Sequence, residues 1–382
     1  MHFHLHLIRL MENTTFVHRL RFGTISREMS PRPKGSVPVS YGTRLLNDVK
    51  VEWKRSGKDC VYSPRDGHCA ASVGSKLYVF GGVAWNVTIG EVSEMNEMLV
   101  YDLDSMQWKA IEAKGTYPSP RDKLGSVAMG TKMLIFGGFG PKEDDEMAGP
   151  GEAEFTWFND IFAFDTENLT WKKFMVTTVG SPTPRAAHCM CAVGFKVVIF
   201  GGKDSIARRH DTHILNTENM KWETVKTSGR QPSPRSFHSC AAVGNRMVVF
   251  GGRGLANQHF NDLHIFDVDK QEWLQPSVSG ALPAPRGVHT MSALCGNLVV
   301  FGGSSEFDES TMQCQQYHND TFLLSADKLL SGASLGPDPN DKPKEVVPMA
   351  TPVNPEPAID TIDENEEEWE DTEEDDSSGQ EH

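Results

Sequence analysis

The chain has 382 residues, 38% hydrophobic and 23% charged, which is enough for one large domain or two ordinary ones. Its formal charge of −15 sits at the end of the chain: residues 337–382 hold 17 Asp and Glu against Lys342 and Lys344, while residues 1–336 carry 35 side chains of each sign. A balanced body argues against nucleic acid as a partner, and the absence of any run of 18 apolar residues excludes a membrane-spanning helix and membrane attachment of that kind.

The first segment, residues 1–48, opens with MHFHLHLIRLM, in which His2, His4, His6 and Arg9 interrupt any apolar signal-peptide core. It reads as a poorly ordered leader. Residues 47–57, NDVKVEWKRSG, read as a strand around Trp53. From Arg65 onward a unit repeats. A Gly-Gly doublet follows an apolar run five times, at 81/82, 137/138, 201/202, 251/252 and 302/303, with spacings of 56, 64, 50 and 51 residues.

Each doublet is preceded by a Pro-Arg pair (Arg65, Arg121, Arg185, Arg235, Arg286), and in four units a His stands three residues later (His68, His188, His238, His289). The first four doublets are each followed by a Trp: Trp108, Trp171, Trp222 and Trp273. One unit is therefore a Pro-Arg turn, a short apolar strand, a tight turn, an apolar strand ending in Gly-Gly, a variable loop, a strand of the type NDLHIFDV, and a strand around Trp. Four short antiparallel strands in about 50 residues describe a β-propeller blade. The pattern resembles the kelch repeat.

The phase of the repeat predicts how the ring closes. The fifth unit has NDTFLLS but no Trp strand after it, so the strand around Trp53 is expected to complete the last blade and remove two sheet edges. The expectation is an all-β kelch propeller over residues 49–330 with five clear blades. A sixth is left open within residues 1–48, and residues 331–382 are expected to form an acidic, disordered tail. In such a blade the Pro-Arg turns and the loops after Gly-Gly share one face. Two of those loops are long, FGPKEDDEMAGPGEAEFTWF in the second unit and SSEFDESTMQCQQYH in the fifth, and variable loops on a rigid scaffold carry function.

The repeated Arg, and the His wherever it occurs, occupy the same slot of the unit, which assigns them to structure before chemistry. No nucleophile elbow, phosphate loop or HExxH is present, so no enzymatic activity is expected. Asp102, Asp165 and Asp267 recur where a strand leads into a turn. The seven cysteines are odd in number and lie mostly in apolar runs, which reads as free thiols. Cys189 and Cys191 lack a second pair at zinc-finger spacing, so neither metal nor other cofactor is expected. On the shared loop face Lys123, Lys203, Arg208, Arg209 and Arg253 are interleaved with Phe139, Trp157, Phe158, Phe237 and Phe260, a combination suited to a carboxylate held between apolar walls.

Over residues 108–325 the chain resembles, more narrowly, the family of kelch domain-containing proteins one and two. The residues that carry this are RDKLG at 121–125, the long insertion before FND at 158–160, SPTPRAAHCMCAVG at 181–194 and PRSFHS at 234–239. The resemblance implies a substrate receptor of cullin-2 ubiquitin ligases that captures C-terminal glycine degrons. It also implies a peptide-binding site at Lys123, Phe139, Phe158, Lys203, Arg208, Ser236 and Phe237. Here Phe replaces Tyr at 139 and Trp at 158 and 237, and Lys replaces Arg at 203, which removes ring donors and one bidentate fork. After the propeller the family carries a helical box for elongin and cullin. SADKLLSGASLG here runs instead into the acidic tail, so an elongin or cullin-2 partner lacks its helix.

The reading from sequence is thus a non-enzymatic, cytoplasmic or nuclear adaptor that binds a protein or peptide end resembling a C-degron. Its alternatives are a general scaffold that docks a folded partner on the long second- and fifth-unit loops and, more remotely, a metal-dependent propeller enzyme.

Overall fold

The computed structural model describes residues 60–86, 90–142, 154–176, 179–326 and 329, and every sheet in it is built of strands that follow the sequence repeat. Blade I comprises Cys69–Val73, Lys76–Phe80, Met98–Asp102 and Gln107–Ile111, paired in that order and antiparallel throughout. Blade II (Gly125–Met129, Lys132–Phe136, Ile161–Asp165, Thr170–Phe174) and blade III (Cys189–Val193, Lys196–Phe200, Thr212–Asn216, Lys221–Glu223) repeat the meander. So does blade IV (Ser239–Val243, Arg246–Arg253, His259–Asp267, Glu272–Leu274). Blade V has three described strands, Thr290–Leu294, Asn297–Phe301 and Thr321–Ser325. Among the described residues, five blades of an all-β propeller are therefore present.

The strand around Trp53 expected to complete blade V, any sixth blade in residues 1–48 and the acidic tail lie outside the described residues. Beside the third strand of blade V runs a groove of about 670 Å³ lined by Leu263, Pro283, Met291, Phe322 and Leu324 among others.

Each element of the repeat has a physical task. The Arg of the Pro-Arg pair is buried in blades II to V, and its guanidinium ties its own blade together. In blade IV, Nη1 of Arg235 donates to the carbonyl of Gly251 at 2.9 Å and to Asp262 Oδ1 at 2.6 Å, while Nη2 donates to Asp262 Oδ2 at 2.9 Å. The same fork joins Arg121 to Asp160, Arg185 to Asp211 and Arg286 to Asp320. Blade I departs from the pattern, because Arg65 meets Glu97 instead. The buried charge is matched by a two-pronged acid, which is the condition under which such a pair is tolerated.

The Arg backbone joins blade to blade. The carbonyl of Arg235 accepts from the N–H of Gly202 in the preceding blade at 2.9 Å, and Arg121, Arg185 and Arg286 accept likewise from Gly82, Gly138 and Gly252. This approach requires Gly-Gly: Gly201 has φ +62° and a Cβ there would lie 2.9 Å from the Arg235 carbonyl oxygen, while at Gly202, φ +93°, it would lie 2.7 Å from Cβ of His188 in the same blade. The histidines and tryptophans fill the remaining interblade space. Phe200 of blade III meets His238 and Trp273 of blade IV at 5.2 and 4.7 Å, and Phe136 meets His188 and Trp222 of blade III at 5.3 and 5.7 Å. Burial pushes His188 and His289 down to about 3, so these rings pack as neutral groups. The turn aspartates also find their place: Asp102 Oδ1 accepts from the N–H of Asp104 and Ser105, and Asp165 Oδ1 from Glu167 and Asn168. The seven cysteines are free thiols.

Candidate functional site

The loop face is organised by two positions of the repeat. The residue immediately after the Arg pairs, antiparallel, with the residue immediately after Gly-Gly: Asp66 with Val83, Asp122 with Phe139, Ala186 with Lys203, Ser236 with Arg253, and Gly287 with Ser304. The next residue adopts a left-handed conformation in every blade, at Gly67, Lys123, Ala187, Phe237 and Val288, with φ between 53° and 68°. These five residues are stitched in sequence, since Lys123 N–H donates to Gly67 O, Ala187 to Lys123, Phe237 to Ala187 and Val288 to Phe237, at 2.7–2.9 Å. The turn that forces the strand into the propeller thus also sets which side chains stand on the loop face.

Blade III contributes only Ala186 and Ala187 to this set, and the space is taken by cations. Arg208 donates from Nε to Ser236 Oγ at 2.9 Å and from Nη2 to Asn257 Oδ1 at 2.9 Å. Lys203 bridges backbone to backbone with Arg208. Arg253, 3% exposed, lies with its guanidinium carbon 4.1 Å from the ring centre of Phe307 and 5.3 Å from that of Phe237. Burial, reinforced by Arg208 and Arg253, lowers Lys203 to about 8; burial and Arg208 lower Arg253 to about 10. Burial and the two arginines also bring His259 down to about 4. Arg208 thus disfavours the charge of both Lys203 and Arg253, and its own side-chain hydrogen bonds run to a hydroxyl and an amide, both uncharged.

Blades I and II contribute acids to the loop face. Lys123 is ion-paired to its neighbour Asp122, which is 1% exposed and whose carboxyl burial pushes upward. Burial also raises Glu94 to about 7, with Asp122 adding to the effect.

The residues singled out from sequence separate into three groups. Lys203, Arg208, Ser236 and Phe237 are brought together at the interface of blades III and IV. Phe139 belongs to an aromatic cluster of blade II, stacked on Phe155 at 5.6 Å and edge-on to Trp157 at 4.7 Å, while Lys123 is held at the Asp122 pair. Phe158 has its ring 3.9 Å from the guanidinium of the buried Arg121, as Phe260 does at 4.3 Å from Arg235, so both cap structural arginines. Arg253, which the sequence placed among the loop-face cations but not among the seven peptide-binding residues, completes the cation site with Asn257 and Phe307, which the sequence did not single out. A signal for Arg253 existed, because it follows its Gly-Gly doublet at the same offset as Lys203. Nothing local marks Asn257 or Phe307, which arrive from loops of neighbouring blades.

Among the described residues, blades I, II and V raise separate hairpins around this face, Val83–Asn86 with Glu91–Glu94, Phe139–Pro141 with Phe155–Trp157, and Ser304–Asp308 with Gln313–Tyr317, while the long strands of blade IV pair on to Arg253 and His259. The first of these was not anticipated from loop length.

A propeller whose blades are stitched by buried Arg, Gly-Gly and Trp, with a loop face that varies blade by blade, is a kelch propeller. The KLHDC2/KLHL20/DRC7 Kelch-repeats domain matches residues 43–252 and 242–330, and the chain belongs to that family. It is 32% identical to Kelch domain-containing protein 2 of Bos taurus over 278 residues, covering 68% of this chain and 66% of that protein. It is 33% identical to Kelch domain-containing protein 2 of Homo sapiens over 184 residues, covering 44% and 43%. To Host cell factor of Drosophila melanogaster it is 28% identical over 261 residues, covering 63% of this chain and 16% of that protein. The chain therefore spans less than two thirds of the length of these relatives.

Proposed function

We propose that the chain is a non-enzymatic recognition module that captures a peptide end by its carboxylate at the interface of blades III and IV. One observation carries this reading: Lys203, Arg208 and Arg253 share a largely desolvated site where Arg208 disfavours the charge of the other two and Arg253 that of Lys203. A carboxylate relieves that repulsion and accepts charge-assisted hydrogen bonds in a low dielectric. Phe237 and Phe307 exclude water from the same volume. Kinship with Kelch domain-containing protein 2 and the DKLG turn at 122–125 support the finer reading that the ligand is a C-terminal degron and that the chain serves a cullin-RING ligase as substrate adaptor.

The test is capture of peptides from a random library with free C-termini, repeated with the same library amidated. The reading requires that amidation, or Lys203→Ala with Arg208→Ala, abolish capture. A second reading, docking of a folded partner on the hairpins, is favoured by the exposed cross-strand pair Trp85 and Val92 of blade I. Such a partner would survive both changes.

A further inference from the structure

The loop face carries a second concavity beside the cation site. Between blades IV and V lies a groove of about 440 Å³ whose walls include Asn257, Gln258, Glu306, Phe307, Glu309 and Gln316. Two of these residues also belong to the cation site. Phe307 is the ring beneath Arg253, and Asn257 faces both ways: its Oδ1 accepts from Arg208 at 2.9 Å while its Nδ2 donates to Glu309 Oε1 at 2.7 Å. A single carboxamide thus separates a guanidinium from a carboxylate, and the sign of the surface reverses across it.

The groove also has suitable reach and wall chemistry. An extended peptide advances about 3.3 Å per residue, so a chain anchored by its end on Arg208 passes Glu309 two or three residues upstream. Gln258 and Gln316 offer carboxamides, donor and acceptor alike, to a main chain lying between them. Glu306 stands in the hairpin strand Ser304–Asp308 with φ +57°, an uncommon setting for a side chain of its size.

We propose that this groove receives the two or three residues upstream of the bound carboxylate and selects a basic side chain there, opposite Glu306 and Glu309. The proposal rests on the carboxylate reading above. It makes the ligand a peptide of two-signed pattern, a free acid end preceded at short distance by Lys or Arg.

The test uses the full chain and a positional-scanning decapeptide library with free C-termini, together with its amidated counterpart. Lys or Arg is expected to be enriched at least tenfold over Glu at the second or third position before the last residue. Glu306→Gln with Glu309→Gln keeps an acceptor for Asn257 and should reduce that preference below threefold without altering the choice of last residue. Equal capture of Lys and Glu peptides at those positions, with capture still lost on amidation, overturns the groove assignment alone. Capture indifferent to amidation, or no capture at all, overturns the carboxylate reading and this inference with it.

Discussion

The Nε–H of Arg208 donates to the hydroxyl of Ser236 at 2.9 Å, and that hydroxyl belongs to a residue with no exposed surface. A loop guanidinium of blade III is thereby fixed by the first turn of blade IV. Ser236→Ala is expected to leave the fold intact and weaken binding of a free-acid peptide by about 5- to 30-fold, in line with loss of a hydrogen bond to a charged group. Arg208→Lys should cost a comparable amount, because the ammonium cannot reproduce the planar fork. Titration of a labelled peptide selected from the library measures both.

Lys203 is expected to make peptide binding depend on pH. With its pKa lowered to about 8, it carries its charge at pH 7 and loses it as pH rises through that value. Affinity for an anionic peptide end should therefore fall between pH 7 and 9. Lys203→Arg should remove the dependence, since the guanidinium stays charged throughout. The contribution to folding runs the other way: the fold disfavours the charged ammonium, so this group opposes stability below pH 8 and ceases to do so as pH rises toward its ordinary pKa.

The Arg235–Asp262 fork should dominate the stability of blade IV. Arg235→Ala leaves Asp262 with His264 alone, and Asp262→Ala leaves a guanidinium buried and unmatched; each is expected to cost about 3–5 kcal/mol, read from the denaturant midpoint. Although burial opposes it, hydrogen bonding from Arg235 and His264 holds the Asp262 carboxyl far below the usual range, and Arg185 and His213 do the same for Asp211. A depressed carboxylate pKa stabilises the fold above the unfolded value of about 3.9, and the contribution fades as pH falls below it. Acid unfolding should begin below about pH 4, and in Asp262→Asn it should lose part of that pH dependence.

Val288 is a β-branched residue, nearly half exposed, held at φ +57°. The same position in blade I is Gly67. Val288→Gly should relieve the backbone at little loss of packing and stabilise the protein by about 1 kcal/mol, or about 2–4 °C in Tm. A fall in Tm would show that the side chain packs more than its exposure suggests.

What the sequence by itself determined was the periodic part. Pro-Arg and Gly-Gly recur five times and Trp four, because the blades pose the same local problem: in blades II to V a buried fork to Asp, a close backbone approach, and a ring filling the interblade gap. That periodicity is visible without coordinates. The roles of His188, His238 and His289 as packing groups were legible for the same reason. Tertiary structure decided which of the loop residues meet. Phe158 and Phe237 look alike in sequence, yet one covers the buried Arg121 and the other lies beside Arg253, because they stand at different offsets within the blade. Arg208, Ser236, Asn257 and Phe307 come from three blades and share no spacing, so only the closing together of neighbouring sheets brings them to one site. Repeats reveal what every blade must do; a binding site is made where the blades differ, and their differences become a surface only when the chain is folded.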